Sequence, residues 1–549
     1  MQCSYSTSQV RAAEAPLLAK GRPLMQEAAY IAAQHVIRHC KKANLALALQ
    51  SVLVLAGKGN NGGDALYAGA YLARRGMPVA AVVVAPAHQE ASAAARRAGV
   101  QILENPSAAQ LKKMAQRAEI WIDGLLGIGV QGAPRPPLAD WLEILNAERR
   151  DLVSKTPPYI VAIDIPSGID ADTGEIPGQY LPAAATIAMG CLKPGLLLPP
   201  AAHYAGEIEI ADLGFAPYLA GAPAVIQFEK TDRKRFFSAP SIADNKYTRG
   251  VVGIYAGSRQ YPGAGVLCTQ GAQAVGAGMV RYLGESPLVA SACPEVVPVA
   301  GKIDAAVIGS GIVEIAPLQE VFFELCTRGI PIVLDAGGLQ LLAERDGWPD
   351  DVATPIILTP HTGELCRLLR AYGENISGED ILAQPRKWAQ QAALYTKAVV
   401  VLKGAITVIA SPSGYLAAQG NSSGWLATAG SGDVLAGILG GILGQLAARQ
   451  RVVEQHRIAA QHRIEGARAQ ESALNFSEQL LVEAAAAAVY LHSTAGKIAA
   501  EQLELDKEVK LAGRYQPHHL AKSGKPIKAS DIIGAVPFAL ADSPKGRIY

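Results

Sequence analysis

The chain is poor in several things at once. Its 549 residues hold only seven cysteines (Cys3, Cys40, Cys191, Cys268, Cys293, Cys326 and Cys366), odd in number, scattered and without the paired spacing of a zinc site. That excludes a disulfide framework and fits buried free thiols in a reducing cytoplasm. Charge is sparse too: 18% of residues are charged and the formal net charge is +2. With neither a long basic run nor an imbalance of sign, no footprint for nucleic acid or for a membrane surface is expected. Long hydrophobic runs are missing as well. The most apolar stretch, Val434 to Leu443, is short and broken by glycine, so no membrane span is expected. Arg11 and Glu14 interrupt the N-terminal region before any secretory core forms. What is abundant is hydrophobic residue, half of a chain longer than one core usually supports. Two or more well-packed globular domains are expected.

Apolar strand-like runs alternate with alanine-rich helical stretches. The first series is 51–56, 78–84, 119–122, 159–163, 186–189 and 207–210, and its continuous apolarity suits a parallel sheet covered on both faces. Between Gly214 and Asp244 the pattern lapses into proline-containing and then charged sequence. A second series follows at 251–255, 305–308, 331–334, 355–358, 398–402 and 407–410. The expectation is two α/β domains in tandem, over residues 1–225 and 236–549, with the polar helical stretch 447–477 as an insertion.

The first domain carries its chemistry in three loops. Gly57-Lys-Gly-Asn-Asn-Gly-Gly-Asp64 lies between a strand and a helix. Its glycines allow close backbone approach, and the loop amides with the helix N-terminus offer donors to anions. Asn60, Asn61 and Asp64 add oxygens, so the loop suits a sugar, a phosphate or a hard cation alike. Asp123 opens a second loop, Gly124-Leu-Leu-Gly-Ile-Gly-Val-Gln-Gly-Ala133, and the third, Asp164-Ile-Pro-Ser-Gly168, ends another predicted strand. Ligands of open α/β sheets bind at that edge. A lone Asp there is often only a helix cap; recurrence over three loops argues for a site.

These motifs, with Leu24-Met-Gln-Glu-Ala-Ala29 near the start, resemble the NAD(P)H-hydrate epimerases over roughly residues 1–215. The resemblance implies a Rossmann-like three-layer domain that interconverts the R and S forms of hydrated NADH or NADPH. It implies substrate contacts from Asn60, Asn61, Gly62, Gly63 and Asp64 and from Gly127, Ile128, Gly129, Val130, Gln131, Gly132 and Ala133. It also implies Asp164 at the reacting centre as acid and base, and K+ held by Asn61, Asp123 and Ser167. One departure is Ala65, where that family usually has glycine.

In the second domain, Thr428-Ala-Gly-Ser-Gly-Asp-Val434 places Gly430, Ser431 and Gly432 at the start of an apolar helix. Their amides form an anion hole beside Asp433, which serves either as a cap or as a base for a substrate hydroxyl. Ala256-Gly-Ser258, Tyr261-Pro-Gly-Ala264, Gly309-Ser-Gly-Ile312, Thr359-Pro-His-Thr-Gly-Glu364 and Lys403-Gly-Ala-Ile-Thr407 follow other strands. Together they resemble the ADP- or ATP-dependent NAD(P)H-hydrate dehydratases of the ribokinase-like superfamily, from about 245 to 537. By that resemblance Ala264, Gly311, His361 and Asp433 line the hydrated nicotinamide site, with Asp433 catalytic. Lys403, Gly404, Ala405, Ile406 and Thr407, with Gly430, Ser431 and Gly432, hold ADP, the phosphoryl donor, with Mg2+. Gly337 in Asp335-Ala-Gly-Gly-Leu339 stands where the family usually has a second acidic residue, which leaves the cation dependence open.

The expected partners are therefore small molecules, hydrated NADH or NADPH and ADP, without nucleic acid or membrane, in a cytoplasmic homo-oligomer. Two other classes stay open at this stage. The Gly-Ser-Gly-Asp loop also serves vitamin and sugar kinases, and the first domain also suits a non-catalytic binding module.

Overall fold

A computed structural model of the chain describes residues 1–129, 132–150, 157–237, 239–343, 354–420, 422–465, 476–501 and 524–541. Val130, Gln131 and residues 466–475 of the expected insertion lie outside the described residues. The described residues divide into two compact units, one over Cys3–Val225 and one made of those from Ile226 onward together with Met1–Gln2.

The first unit is a seven-stranded sheet in the order Gln101–Glu104, Val79–Val83, Val52–Ala56, Ile120–Gly124, Tyr159–Ile163, Ala185–Met189, Glu207–Ala211. Every neighbouring pair is parallel. Val52–Ala56 and Ile120–Gly124 are fully buried, as strands covered on both faces must be. From Val52–Ala56 the chain first winds one way and then returns to lay Ile120–Gly124 on the other side, with Leu55 opposite Asp123. That reversal is where an open parallel sheet leaves a crevice, and both glycine-rich loops leave the sheet there. The loops interlock at backbone level: a Cβ at Gly57 would fall 2.0 Å from the Leu125 carbonyl oxygen, and one at Gly62 2.1 Å from that of Gly57.

In the second unit, six strands run parallel in the order Met279–Tyr282, Val251–Tyr255, Ala305–Ile308, Ile332–Leu334, Ile356–Leu358, Val399–Leu402. Thr407–Ala410 and Leu416–Gln419 then continue antiparallel, and Ile226 pairs in parallel with Ala417 at that edge. Its reversal lies between Val251–Tyr255 and Ala305–Ile308, so the loops Ala256–Ser258 and Gly309–Gly311 meet there. Helix Ser431–Glu465 is laid against this point by small residues. A Cβ at Gly437 would sit 2.1 Å from the Cys268 carbonyl oxygen and one at Gly440 2.2 Å from Val307 Cγ2, so only glycine lets the helix approach helix Pro262–Ala274 and the sheet so closely. By length and composition the segment Ser431–Gln455 is apolar enough to cross a membrane, yet 78% of that window is buried in the protein, as in a core helix. The stretch from Ala447 to Glu465 continues this same helix.

Candidate functional sites

Asn61, Asp123 and Ser167 come together in the first unit. The Asp123 carboxylate is fully buried and accepts from Ser167 Oγ (2.6 Å), Ser167 N (2.8 Å) and Leu125 N (3.2 Å). Ser167 Oγ in turn accepts from Leu126 N at 2.9 Å, and Asn61 Nδ2 donates to the Leu126 carbonyl at 2.8 Å. Burial pushes the Asp123 carboxyl up to about 6, and the hydrogen bonds from Ser167 and Leu125 offset only part of that. No side-chain cation among the described residues pairs with it; the donor set is amide, carboxylate and hydroxyl oxygen, the type a hard cation takes.

Beside this cluster opens a cavity of about 800 Å³. Asn60, Asn61, Asp64, Gly127, Ile128, Gly129, Ala133 and Asp164 line it. Gly62 and Gly63 are instead buried against the Gly57 carbonyl and Met25, while Gly132 takes a left-handed turn at φ 77°. Asp164 also sits at positive φ (67°), a conformation uncommon outside glycine and one that tight turns and functional sites retain. Its Oδ1 accepts from Met189 N at 2.9 Å and from the ammonium of Lys193, whose side chain is wholly buried and also donates to the Met189 carbonyl at 2.7 Å. Lys193 and the cavity-lining Glu14 and Arg11 escape sequence reading. Lys193 did leave a signal, since it follows a predicted strand in Gly190-Cys-Leu-Lys193, but a lone lysine there is indistinguishable from a surface one.

The second site converges on Lys403. Its Nζ lies 2.9 Å from Asp335 Oδ1 and 3.7 Å from Glu364 Oε2, and a Cβ at Gly432 would meet it at 3.3 Å. Burial opposes the ammonium charge, but Asp335 and Glu364 outweigh it and hold Lys403 above its ordinary range. The expected 403–407 loop and the Gly430–Gly432 loop thus meet through one side chain. Asp433 stands in the first turn of helix Ser431–Glu465. Burial and then Asp335 push its carboxyl up to about 6, against the pull of Lys403. Asp335 itself takes three donors, accepting from Thr359 Oγ1 (2.7 Å) and Ser310 Oγ (2.8 Å) besides Lys403. Ala264 and Gly311 are brought face to face: a Cβ at Gly311 would fall 2.5 Å from that of Ala264. His361 caps helix Thr362–Ala371, its Nδ1 accepting from Gly363 N (3.0 Å) and Glu364 N (3.3 Å) and its Nε2 lying 3.5 Å from Glu364 Oε1, on a half-exposed ring. At Gly337 an acidic side chain has no room, because its Cβ would lie 2.3 Å from the Ile312 carbonyl oxygen. Ser431 is held from behind by the buried His492, whose Nε2 lies 3.0 Å from the Ser431 carbonyl oxygen and 3.1 Å from its Oγ. Asp335 and Ser310 stand in the sequence motifs, but as hubs they become visible only when the strand ends meet.

A parallel α/β unit with oxygen-lined loops at its reversal, joined to a second whose helix N-terminus faces a lysine and an elevated carboxyl, defines a two-domain enzyme of the nucleotide-handling α/β class. Family comparison agrees: residues 21–195 match the YjeF-related protein N-terminus and residues 252–517 the NAD(P)H-hydrate dehydratase family. The bifunctional NAD(P)H-hydrate repair enzyme of Mycobacterium tuberculosis is 39% identical over 459 residues, covering 81% of this chain and 89% of its own length. That of Synechocystis is 31% identical over 477 residues, covering 80% and 85%. A solved ADP/ATP-dependent NAD(P)H-hydrate dehydratase from Bacillus subtilis, co-crystallised with ATP and Mg2+, is 26% identical and covers 48% of this chain and 97% of its own, at a TM-score of 0.36. The chain belongs to the family of bifunctional NAD(P)H-hydrate repair enzymes.

Proposed function

We propose that the first unit epimerises the R and S hydrates of NADH and NADPH, and that the second dehydrates the S hydrate at the expense of ADP. The observation that carries this reading is the kinship with bifunctional repair enzymes across four-fifths of the chain, and both candidate sites lie within the stretches 21–195 and 252–517 that match the two family models.

In the first unit the hydrated nicotinamide enters the 800 Å³ cavity, where Asp164, fixed by Lys193 and the Met189 amide, exchanges a proton at the C6 oxygen. Asn61, Asp123 and Ser167 would hold K+, which would supply a positive charge beside the buried Asp123 carboxylate. Gly127 to Ala133 and Asn60 to Asp64 position the rest of the dinucleotide.

In the second unit Asp433 takes the proton from the C6 hydroxyl, and that oxygen attacks the terminal phosphorus of ADP, with AMP leaving. The Gly430–Gly432 amides and Lys403 stabilise the charge on the transferred group. Hydroxide is a poor leaving group and phosphate a good one. The ring nitrogen lone pair then expels phosphate from C6, and loss of a C5 proton restores the dihydronicotinamide. Among the described residues no group of three His, Cys, Asp or Glu side chains is set to hold a metal. Mg2+ bound together with ADP would help neutralise the charge of the transferred phosphoryl group.

The experiment is recovery of NADH absorbance from a mixture of R and S hydrates, with ADP and ATP compared. The S hydrate is consumed at once and the R hydrate at the rate of epimerisation. Accumulation of a stable phosphorylated product without NADH would refute the dehydratase reading.

A further inference from the structure

The helical turn that follows the Gly57–Asn61 loop carries a group to which this scheme gives no chemical task. Asp64 lines the cavity, yet its Oδ1 is buried with no hydrogen-bond partner among the described residues. An ionised oxygen in that position has lost its water and gained nothing, so the neutral acid is the form the site accommodates. Burial holds the carboxyl well above the ordinary carboxylate range; Asp164 and Glu14 push it further, and Lys193 opposes them only in part. Lys193 is committed to Asp164 and to the Met189 carbonyl. Glu14 is itself raised by burial and by Asp164. Lys58 and Arg135 line the same cavity, as does Arg11, whose guanidinium donates to the Ile128 carbonyl at 3.3 Å. His88 packs beside Gly63 and spends its Nδ1 on Ala91 N. In one cavity, then, one carboxyl is held by the charge of a lysine and the other is buried with an oxygen that has no partner among the described residues.

We propose that Asp64 is the general acid of the epimerisation, with Asp164 as the matching base; the inference rests on the epimerase reading. In one direction the C6 oxygen takes the Asp64 proton, the C6–O bond breaks and water leaves, while the ring nitrogen lone pair forms the N1=C6 double bond. Water then adds to the opposite face of C6, the π pair returns to nitrogen, and the proton released by that water passes to Asp164. The reverse direction uses the same steps with the two carboxyls exchanged. A proton passed between them through solvent resets the site, and no oxidant or further reactant is needed.

The test uses the full-length chain and Asp64→Asn, which keeps the shape of the neutral acid but cannot give up its proton in this way. The R hydrate is supplied without nucleotide and the appearance of the S hydrate is followed chromatographically. The expected result is a kcat lower by on the order of 10²-fold or more with little change in KM. The alkaline limb of the wild-type pH profile, where Asp64 loses its proton, should be absent in the variant, and dehydration of the S hydrate should be unchanged. Infrared difference spectra of wild type against variant should also show a protonated carboxyl at neutral pH. An active wild type with an equally active variant overturns the role of Asp64 alone, whereas a wild type that does not epimerise overturns the epimerase reading. If the variant does not fold, the wild type decides: lack of the alkaline limb overturns the proposal.

Discussion

The ammonium of Lys403 lies 2.9 Å from the Asp335 carboxylate across 68 residues of chain, joining the end of one parallel strand to the end of another. Asp335 is buried and Lys403 nearly so, so removing the cation strands a charge in a place without water. Lys403→Gln should therefore cost about 3 kcal/mol of stability, measured by urea unfolding of the second unit. It should also depress ADP-dependent dehydration and leave epimerisation untouched. Equal stability of variant and wild type would show that the pair holds nothing together.

Asp433 supports a prediction about pH. Its carboxyl titrates at about 6 and acts as a base only when ionised, so kcat/KM for dehydration should rise through an apparent pKa of about 6 and level off above it. Asp433→Asn should abolish the rising limb together with at least about 10²-fold of the rate. A wild-type profile flat across this range would remove Asp433 from the role of base.

Asp123 should link potassium to pH in the first unit. Its folded pKa of about 6 lies above the ordinary value, so its contribution to stability is full below the unfolded pKa and is lost as pH rises through about 6. A cation that binds the ionised carboxylate offsets that loss. KCl should thus raise the unfolding temperature near neutral pH, relative to a bulky quaternary ammonium chloride, and do so progressively less as pH falls below about 6. In Asp123→Ala the difference between the salts should vanish and epimerase activity should fall. A potassium effect that is the same on both sides of that pH would contradict the assignment.

Three glycines of one loop should respond differently to alanine. A Cβ at Gly57 or Gly62 collides with backbone oxygen at 2.0 or 2.1 Å, whereas one at Gly59 meets nothing within 4 Å. Gly57→Ala and Gly62→Ala should each cost about 1–3 kcal/mol and most of the epimerase activity, with Gly59→Ala close to wild type. Thermal unfolding and the nucleotide-free assay distinguish the three.

The sequence by itself determined most of the strands, because strands buried on both faces must be apolar throughout. Val251–Tyr255, Ala305–Ile308 and Thr407–Ala410 stand at the limits their composition sets. It missed Gln101–Glu104, an edge strand whose exposed ends blunt the apolar signal, and also Met279–Tyr282, Leu416–Gln419 and the three-residue Val225–Gln227, all too short or too mixed in composition to stand out. The glycine loops, Asp123, Asp164 and Asp433 were legible because each sits at a strand or helix end in a motif with its own local chemistry. Only the tertiary structure decided which groups face one another. Strand order brings Asp123 to Ser167 and Asp335 to Lys403, a close helix approach through Gly437 and Gly440 sets Asp433 beside the Asp335–Lys403 pair, and burial leaves Asp64 with an oxygen that has no partner among the described residues. Partner choice and desolvation are properties of distance, and residues far apart in sequence acquire them only when the sheets are assembled.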